Sequence, residues 1–115
     1  MAGALVVDDD AALRMLCRVN LELEGFAVRE AGTVTEAEAA IADERPDVVL
    51  LDVHLGGEQT HELLARLRGA GIPVALVTGS VDLEEYRDAA DAVIAKPFEP
   101  RDLVETARRL ARVSP

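Results

Sequence analysis

Four short apolar runs divide the chain, and each of them ends at a polar residue. Each run is four residues long and consists of Val, Leu, Ile and Ala, which is typical of strands buried on both faces of a parallel sheet. A fifth segment, Ala27 to Ala31, carries Arg29 and Glu30, so we predict an edge strand there. The four apolar runs are Ala4–Val7, Val48–Leu51, Val74–Val77 and Ala92–Ala95.

Two amphipathic helices are predicted in the first half of the chain. The second of them is expected to begin near Thr35, because Thr35–Glu38 has the spacing of a capping box, and to run to about Ala42. The first is predicted from apolar residues at helical spacing that lead to a glycine. These residues are Leu13, Leu16, Cys17 and Leu21, followed by Gly25.

Three further helices are predicted in the second half. The third helix ends at Gly69–Gly71, a short and weak fourth helix spans Asp82 to Ala90, and a closing helix begins at Pro100. Proline is common in the first turn of a helix, which supports the last of these assignments. The inward-facing residues are predicted to be Leu63, Leu64 and Leu67, then Leu83 and Tyr86, then Leu103, Val104, Ala107, Leu110 and Ala111.

Strands and helices therefore alternate five times along the chain. With 115 residues the chain can bury one hydrophobic core and is too short for two, so residues 1–115 are interpreted as one domain. Short connections and right-handed crossovers leave few arrangements of such a chain. We predict an α/β fold with a five-stranded parallel doubly wound sheet in the order 2-1-3-4-5, which is the flavodoxin-like (βα)5 arrangement.

Composition and charge exclude several classes of function. The net charge of −10 repels nucleic-acid backbones, so direct binding of DNA or RNA is not expected. No apolar run approaches the roughly 18 residues of a membrane span, and the amino terminus lacks the basic flank of a secretory signal. The single cysteine, Cys17, fits a reducing cytoplasm and is interpreted as core filling, not as a nucleophile.

Polar residues of functional type follow the apolar strands. Because parallel strands end at the same edge of a sheet, where such folds place their sites, these residues are expected to meet. Singly, each has an ordinary explanation as a helix cap, a loop hydrogen bond or a solvated side chain. Their joint occurrence at four strand ends is harder to ascribe to chance. They are Asp8 and Asp9 after the first strand, Asp52 in the third, Thr78 in the fourth and Lys96 in the fifth.

The chemistry of this set points to a cation and a phosphoryl group. Two carboxylates about 4 Å apart repel each other by about 4 kcal/mol at an effective dielectric constant of about 20. One lysine cannot balance three carboxylates, so we expect a divalent ion with oxygen ligands, and Mg²⁺ suits carboxylates and waters. Thr78 can donate one hydrogen bond to a phosphoryl oxygen, and Lys96 can supply a positive charge.

Four motifs resemble those of receiver domains in bacterial two-component signalling, over the stretch from Leu5 to about Arg112. The motifs are Val6-Val7-Asp8-Asp9, Leu50-Leu51-Asp52-Val53, Val77-Thr78-Gly79 and Lys96-Pro97-Phe98. The resemblance implies that Asp52 accepts a phosphoryl group from the phosphohistidine of a sensor histidine kinase or a histidine phosphotransfer protein. It also implies a cis peptide bond between Lys96 and Pro97.

The same resemblance implies a set of ligands for Mg²⁺. The protein ligands would be Asp9, Asp52 and the backbone carbonyl of His54, with Asp8 acting mainly through water. Thr78 and Lys96 would contact the phosphoryl oxygens.

Three departures from the family pattern concern the route by which a signal leaves the site. Gly56 stands where many receivers have proline, and Thr78 and Lys96 are 18 positions apart, about one helical turn fewer than usual. Val93 stands where Tyr or Phe commonly turns inward with the threonine. Valine has no such swing, so the usual coupling is not expected. The Gly-Gly-Glu loop at residues 56–58 resembles a subgroup of stand-alone receivers.

Two further residues allow alternative interpretations. The side chain of His54 could reach over the phosphoryl group and modulate its hydrolysis, or it could be a solvated loop side chain. Tyr86, the only tyrosine, could replace the missing aromatic residue, although ordinary packing is the preferred interpretation.

We interpret the chain as a single-domain response regulator with no output domain, although a receiver excised from a hybrid kinase would look the same. It would act through protein contacts or as a phosphate sink, and catalyse nothing beyond its own phosphorylation from phosphodonors and slow dephosphorylation. A downstream protein would bind the face formed by the predicted fourth helix, the fifth strand and the closing helix. Two alternatives are a phosphorylation-independent scaffold and, less favoured, a Mg²⁺-dependent phosphohydrolase with an aspartyl-phosphate intermediate.

Overall fold

Five strands and four helices make up the described part of the chain. The computed structural model describes residues 1–53, 55, 60–79 and 88–112. The strands are β1 (Gly3–Val7), β2 (Ala27–Ala31), β3 (Val48–Asp52), β4 (Val74–Thr78) and β5 (Ala92–Ala95). The helices are α1 (Ala11–Leu23), α2 (Val34–Asp43), α3 (His61–Gly69) and the C-terminal helix (Pro100–Ala111).

All five strands are parallel and form one sheet. Their order is β2-β1-β3-β4-β5, which confirms the predicted α/β fold and strand order. The register pairs Val7 with Leu51, Asp52 with Val77, and Thr78 with Ala95. The carboxyl ends of β1, β3, β4 and β5 therefore lie at one edge of the sheet.

Both faces of the sheet are covered by helices. Alternate residues of β1 contribute to two separate clusters: Leu5 and Val7 face α2 and α3, whereas Ala4 and Val6 face α1 and the C-terminal helix. Every residue of β3 and β4 is buried. This two-sided burial explains why the sequences of the central strands are continuous apolar runs.

The inner face of α1 differs in one residue from the prediction. Cys17 and Leu21 are buried as expected, but Leu16 is 44% exposed. Leu16 lies about 100° around the helix from Cys17, which turns it away from the sheet. The helix ends at Leu23, two residues before the predicted Gly25, whose φ of 94° is in the left-handed region that favours glycine.

The amino-terminal cap of α2 also differs from the prediction. The cap is Thr33, whose hydroxyl accepts a hydrogen bond from Glu36 N at 3.1 Å. The Glu36 carboxylate in turn accepts one from Gly32 N at 2.7 Å. The cap therefore lies two residues before the predicted Thr35–Glu38 box, and the glutamate bonds the residue before the cap and not the cap itself. Both stretches match the motif, but Thr33 has the extended backbone that a cap requires.

The remaining described elements match the prediction closely. Leu63, Leu64 and Leu67 form the buried face of α3, and Pro100 opens the C-terminal helix. The predicted fourth helix falls mostly on residues 80–87, outside the described part, although Ala90 is buried. Within the described ranges, no helix has the length and apolarity that would let it cross a membrane.

Candidate functional site

Three carboxylates meet where β1 and β3 end. Asp8 follows β1 directly and Asp52 is the last residue of β3, and these two strands are neighbours in the sheet. Asp8 is 4% exposed and Asp52 is 5% exposed, whereas Asp9 is exposed. One oxygen from each of the three carboxylates lies within 4.8 Å of the others. The predicted acidic cluster is therefore assembled by the fold.

Lys96 follows β5, which lies two strands away from β3, and its side chain reaches back to this cluster. Its Nζ lies 3.5 Å from Asp8 Oδ2 and 3.6 Å from Asp52 Oδ2. Its backbone N–H donates to the Thr78 carbonyl at 2.8 Å, which links the ends of β5 and β4. The Lys96–Pro97 peptide bond is cis, as the resemblance implied.

Thr78 lies at the same edge of the sheet, one strand away from Asp52. It is the last residue of β4 and is fully buried. Asp52 pairs with Val77, so Thr78 is one position beyond the partner of Asp52. The five residues predicted at the strand ends thus share one edge of the sheet.

The environment of Asp8 disfavours its ionised form. Burial raises the pKa of the Asp8 carboxyl, and the neighbouring Asp52 carboxylate raises it further. The Asp10 N–H, which donates to Asp8 Oδ1 at 2.9 Å, and the Lys96 ammonium act in the opposite direction. A second cation at this edge would stabilise the charged cluster.

The donor set fits Mg²⁺. Three carboxylate oxygens that converge within 4.8 Å are the hard ligands that this ion prefers, and the exposure of Asp9 leaves one side open to water. His54, whose carbonyl was predicted to be a further ligand, lies outside the described residues. So do Gly56, the rest of the Gly-Gly-Glu loop and Tyr86.

Cys17 takes no part in this site. It is 3% exposed within the apolar cluster beneath α1, and burial raises the pKa of its thiol to about 11. A buried protonated thiol is a poor nucleophile, in agreement with its predicted role as core filling.

One contact at the site was not predicted from the sequence. Arg14, in the first turns of α1, donates from Nη1 to the backbone carbonyl of Asp8 at 2.5 Å. The sequence pattern of an amphipathic helix does not indicate that an arginine on it will contact the end of a strand. The feature that could have indicated the position of Arg14 is Glu30, an acidic residue on the edge strand that pairs with both Arg14 and Arg18.

Comparisons with known proteins agree with this geometry. The family model described as the response regulator receiver domain matches residues 4–108. The DNA-binding response regulator MtrA of Mycobacterium tuberculosis is 37% identical over 113 residues, which cover 94% of this chain and 50% of that protein. The phosphate regulon transcriptional regulatory protein PhoB of Pseudomonas aeruginosa is 37% identical over 116 residues, which cover 94% of this chain and 51% of that protein. The chain thus spans about half the length of these curated relatives.

Solved structures give the same result. A CheY-like response regulator receiver domain protein from Methanospirillum hungatei superposes with a TM-score of 0.88 at 35% identity, covering 97% of this chain and 94% of that one. The receiver domain of NtrX from Brucella abortus gives a TM-score of 0.87 at 33% identity, covering 96% of this chain and 99% of that one. The chain belongs to the response regulator family of two-component systems, as a receiver domain.

Proposed function

We propose that Asp52 accepts a phosphoryl group from the phosphohistidine of a sensor histidine kinase or a histidine phosphotransfer protein. The observation that carries this proposal is the convergence of three carboxylates within 4.8 Å with a lysine 3.6 Å from Asp52. A buried carboxylate beside a cation is a nucleophile whose product, an acyl phosphate, can be held by the same cation. Receiver domains are signalling modules, so the expected outcome is a change of state and not turnover of a metabolite.

The proposed reaction forms one bond and breaks one. A carboxylate oxygen of Asp52 attacks the phosphorus atom, the phosphorus–nitrogen bond to the imidazole breaks, and the electron pair of that bond stays with the imidazole. Lys96, now placed between Asp8 and Asp52, can turn to an oxygen of the arriving group. The Thr78 hydroxyl at the end of β4 would donate a hydrogen bond to another oxygen.

Asp8, Asp9, Asp52 and the backbone carbonyl of His54 would hold Mg²⁺, with Asp8 acting mainly through water. The bound ion would neutralise charge on the three carboxylates, and its water ligands could be exchanged for phosphoryl oxygens. Without it, the carboxylates would repel a phosphoryl group that itself carries negative charge. Phosphorylation is therefore expected to depend on Mg²⁺.

The proposed output is a contact with another protein. A phosphoryl group on Asp52 would add roughly −1 to −2 charges at this end of the sheet. Movement of Thr78 toward the phosphoryl group would shift the end of β4 relative to β5. The surface that would carry this change to a partner comprises the segment before Ala90, β5 and the C-terminal helix. We place this exchange in the cytoplasm. Action as a phosphate sink is the alternative output.

Replacement of Asp52 by Asn is expected to abolish labelling of the protein by acetyl phosphate with Mg²⁺, because the amide cannot act as the nucleophile. Intact-mass spectrometry measures the label. Asp43→Asn is the matched control, because the Asp43 side chain is 83% exposed and lies at the far end of α2; it is expected to label like the wild type. Labelling of the Asp52→Asn variant at wild-type stoichiometry would overturn the assignment.

A further inference from the structure

We propose that Arg14 is a positioning residue that fixes the acidic turn after β1, and through it the place of the Asp9 carboxylate. The proposal rests on the function proposed above for this edge of the sheet. It starts from the hydrogen bond that Arg14 Nη1 donates to the Asp8 carbonyl oxygen at 2.5 Å. That carbonyl belongs to the peptide unit that joins Asp8 to Asp9, so its orientation determines the direction in which Asp9 leaves the strand.

Asp8 is held by four separate interactions. Its N–H donates to the Ala31 carbonyl at 3.0 Å, and its Oδ1 accepts from Asp10 N at 2.9 Å. Its Oδ2 faces Lys96, and its carbonyl oxygen faces Arg14. Three of these interactions orient the Asp8 side chain and the start of its backbone. The fourth interaction, the hydrogen bond from Arg14, restrains the peptide unit between Asp8 and Asp9.

Arg14 is itself held in place by a partner on the edge strand. Its Nε lies 3.2 Å from Glu30 Oε1, and the two side chains are only 20% and 26% exposed. The other carboxylate oxygen of Glu30 lies 3.0 Å from Arg18 Nη1. A planar guanidinium can donate to Glu30 and to the Asp8 carbonyl at once, which an ammonium cannot do in the same geometry. The side chain is therefore oriented before any ligand arrives.

Gly32 provides the space that Arg14 needs. A Cβ at this position would lie 3.1 Å from Arg14 Nη1 and 3.4 Å from Glu36 Oε1. Residue 32 follows β2 directly, and Glu36 accepts a hydrogen bond from its N–H. A side chain there would crowd the end of the Arg14 side chain where it passes β2 to reach β1, and Arg14 would have to shift by a few tenths of an ångström.

The carboxylate of Asp9 depends most on this arrangement. Asp9 is exposed, whereas Asp8 and Asp52 are buried and lie beside Lys96. Its distance to the other two carboxylates is therefore governed mainly by the backbone of the turn. Partners of metal ligands are commonly worth a large factor in metal affinity because they orient the ligand.

The test is a titration of the metal-free protein with Mg²⁺ alone, followed by NMR of the backbone amides. For Arg14→Met we expect about a tenfold loss of Mg²⁺ affinity, and for Arg18→Met less than about a twofold loss. Arg18→Met is the matched control because Arg18 lies one turn further along α1 and shares Glu30, yet its partners among the described residues are Glu22 and Glu30 and not Asp8. Arg14→Lys is expected to recover part of the affinity.

A second readout needs no metal. Hydrogen exchange of the Asp10 amide, which bonds Asp8 Oδ1 in the same turn, is expected to be faster in Arg14→Met than in Arg18→Met. Should Arg14→Met fail to fold, Arg14→Lys keeps the charge but not the planar set of donors, and it is expected to bind Mg²⁺ more weakly than the wild type.

Three results would overturn the inference. Wild-type affinity in Arg14→Met, or in Arg14→Lys if Arg14→Met does not fold, would show that the turn does not need the Arg14 guanidinium. Equal losses in Arg14→Met and Arg18→Met would show a general effect of charge on α1. Absence of Mg²⁺ binding by the wild type would overturn the proposed function of the site, and the role of Arg14 with it.

Discussion

At the scale of single residues, the site is governed by an imbalance of charge. Lys96 is the only lysine in the chain, and its ammonium lies between two buried carboxylates while a third is exposed to water. The cluster therefore remains net negative in the metal-free protein. Burial makes this imbalance costly, as the raised pKa of Asp8 indicates.

The buried thiol of Cys17 leads to a prediction on the pH dependence of stability. Its pKa rises from 9.0 to about 11 on folding, so above pH 9 the unfolded chain loses the thiol proton and the folded protein keeps it. The free energy of unfolding should therefore fall as the pH rises from about 9 to about 11, by about 2 kcal/mol from this group. Urea denaturation across that pH range measures it.

Cys17→Ala provides the control for this effect. Alanine cannot ionise, so the difference in stability between wild type and variant should shrink as the pH rises. A difference that stays constant from about pH 8 to about pH 11 would contradict the shift, because linkage requires a slope wherever the two states bind different numbers of protons.

At the scale of elements, helix ends are satisfied by side chains from other parts of the fold. Arg29 of β2 donates to the Ala40 carbonyl at 2.5 Å and also to the Glu44 carbonyl, at the end of α2. The last turn of α2 contains no basic residue, so Arg29 supplies the positive charge that a helix carboxyl end favours. An edge strand thereby stabilises the helix that follows it.

Arg29→Met is expected to lower the free energy of unfolding by about 1–2 kcal/mol, because two carbonyls lose a charged donor. Denaturation with urea measures the change. Arg45→Met is the control: Arg45 is exposed, lies just after α2, and makes no hydrogen bond or ion pair with the described residues. Equal losses in both variants would point to a general charge effect in place of the Arg29 hydrogen bonds.

The strands were predicted correctly from the sequence, whereas one helix cap and one buried helix face were not. Four strands followed from apolar runs, because burial on both faces leaves an unambiguous pattern, whereas β2 was predicted as an edge strand from its polarity. The strand order followed from the rules of connection. The cap of α2 was misplaced because Thr33–Glu36 and Thr35–Glu38 overlap and match equally well. Leu16 was misassigned because apolar residues on α1 continue beyond the buried face.

At the site, too, the sequence predicted the residues that follow from the sheet but not a contact made by a long side chain. The meeting of Asp8, Asp52 and Lys96 was predictable because strand ends share an edge in a parallel sheet. The contact of Arg14 with the Asp8 carbonyl was not, since it depends on a long side chain that passes the end of another strand. Periodicity assigns residues to faces, but the reach of a side chain depends on the packing of its neighbours.

At the scale of the whole molecule, the packing of Val93 bears on how a change at Asp52 would reach the surface. Val93 is partly buried against the cluster that faces α2 and α3, and it pairs with Leu76 of β4. A valine packed in this way has no room or length for the swing of an aromatic side chain. Among the described residues, the ends of β4 and β5 are linked where Lys96 N bonds Thr78 O, and we expect a signal to pass through this link.

Beryllofluoride, a stable mimic of the phosphoryl group, tests this route. With Mg²⁺ it is expected to shift the amide signals of Thr78, Gly79 and Lys96, and to extend the shifts into the C-terminal helix. NMR spectra with and without the mimic measure this, and Asp52→Asn is the control that should show no response. If the wild type shows no Mg²⁺-dependent change, the alternative of a phosphorylation-independent scaffold is favoured.

The position of β1 has a consequence for the synthesis of the chain. β1 lies between β2 and β3 in the sheet although it is synthesised before the other four strands, so its apolar run stays unpaired on one side until residues 48–52 have emerged. Lys96 arrives later still, after β5. A nascent chain that ends after β3 would hold the three carboxylates with no ammonium beside them. The group of side chains at this end of the sheet therefore cannot be complete before β5 has been synthesised and has joined the sheet.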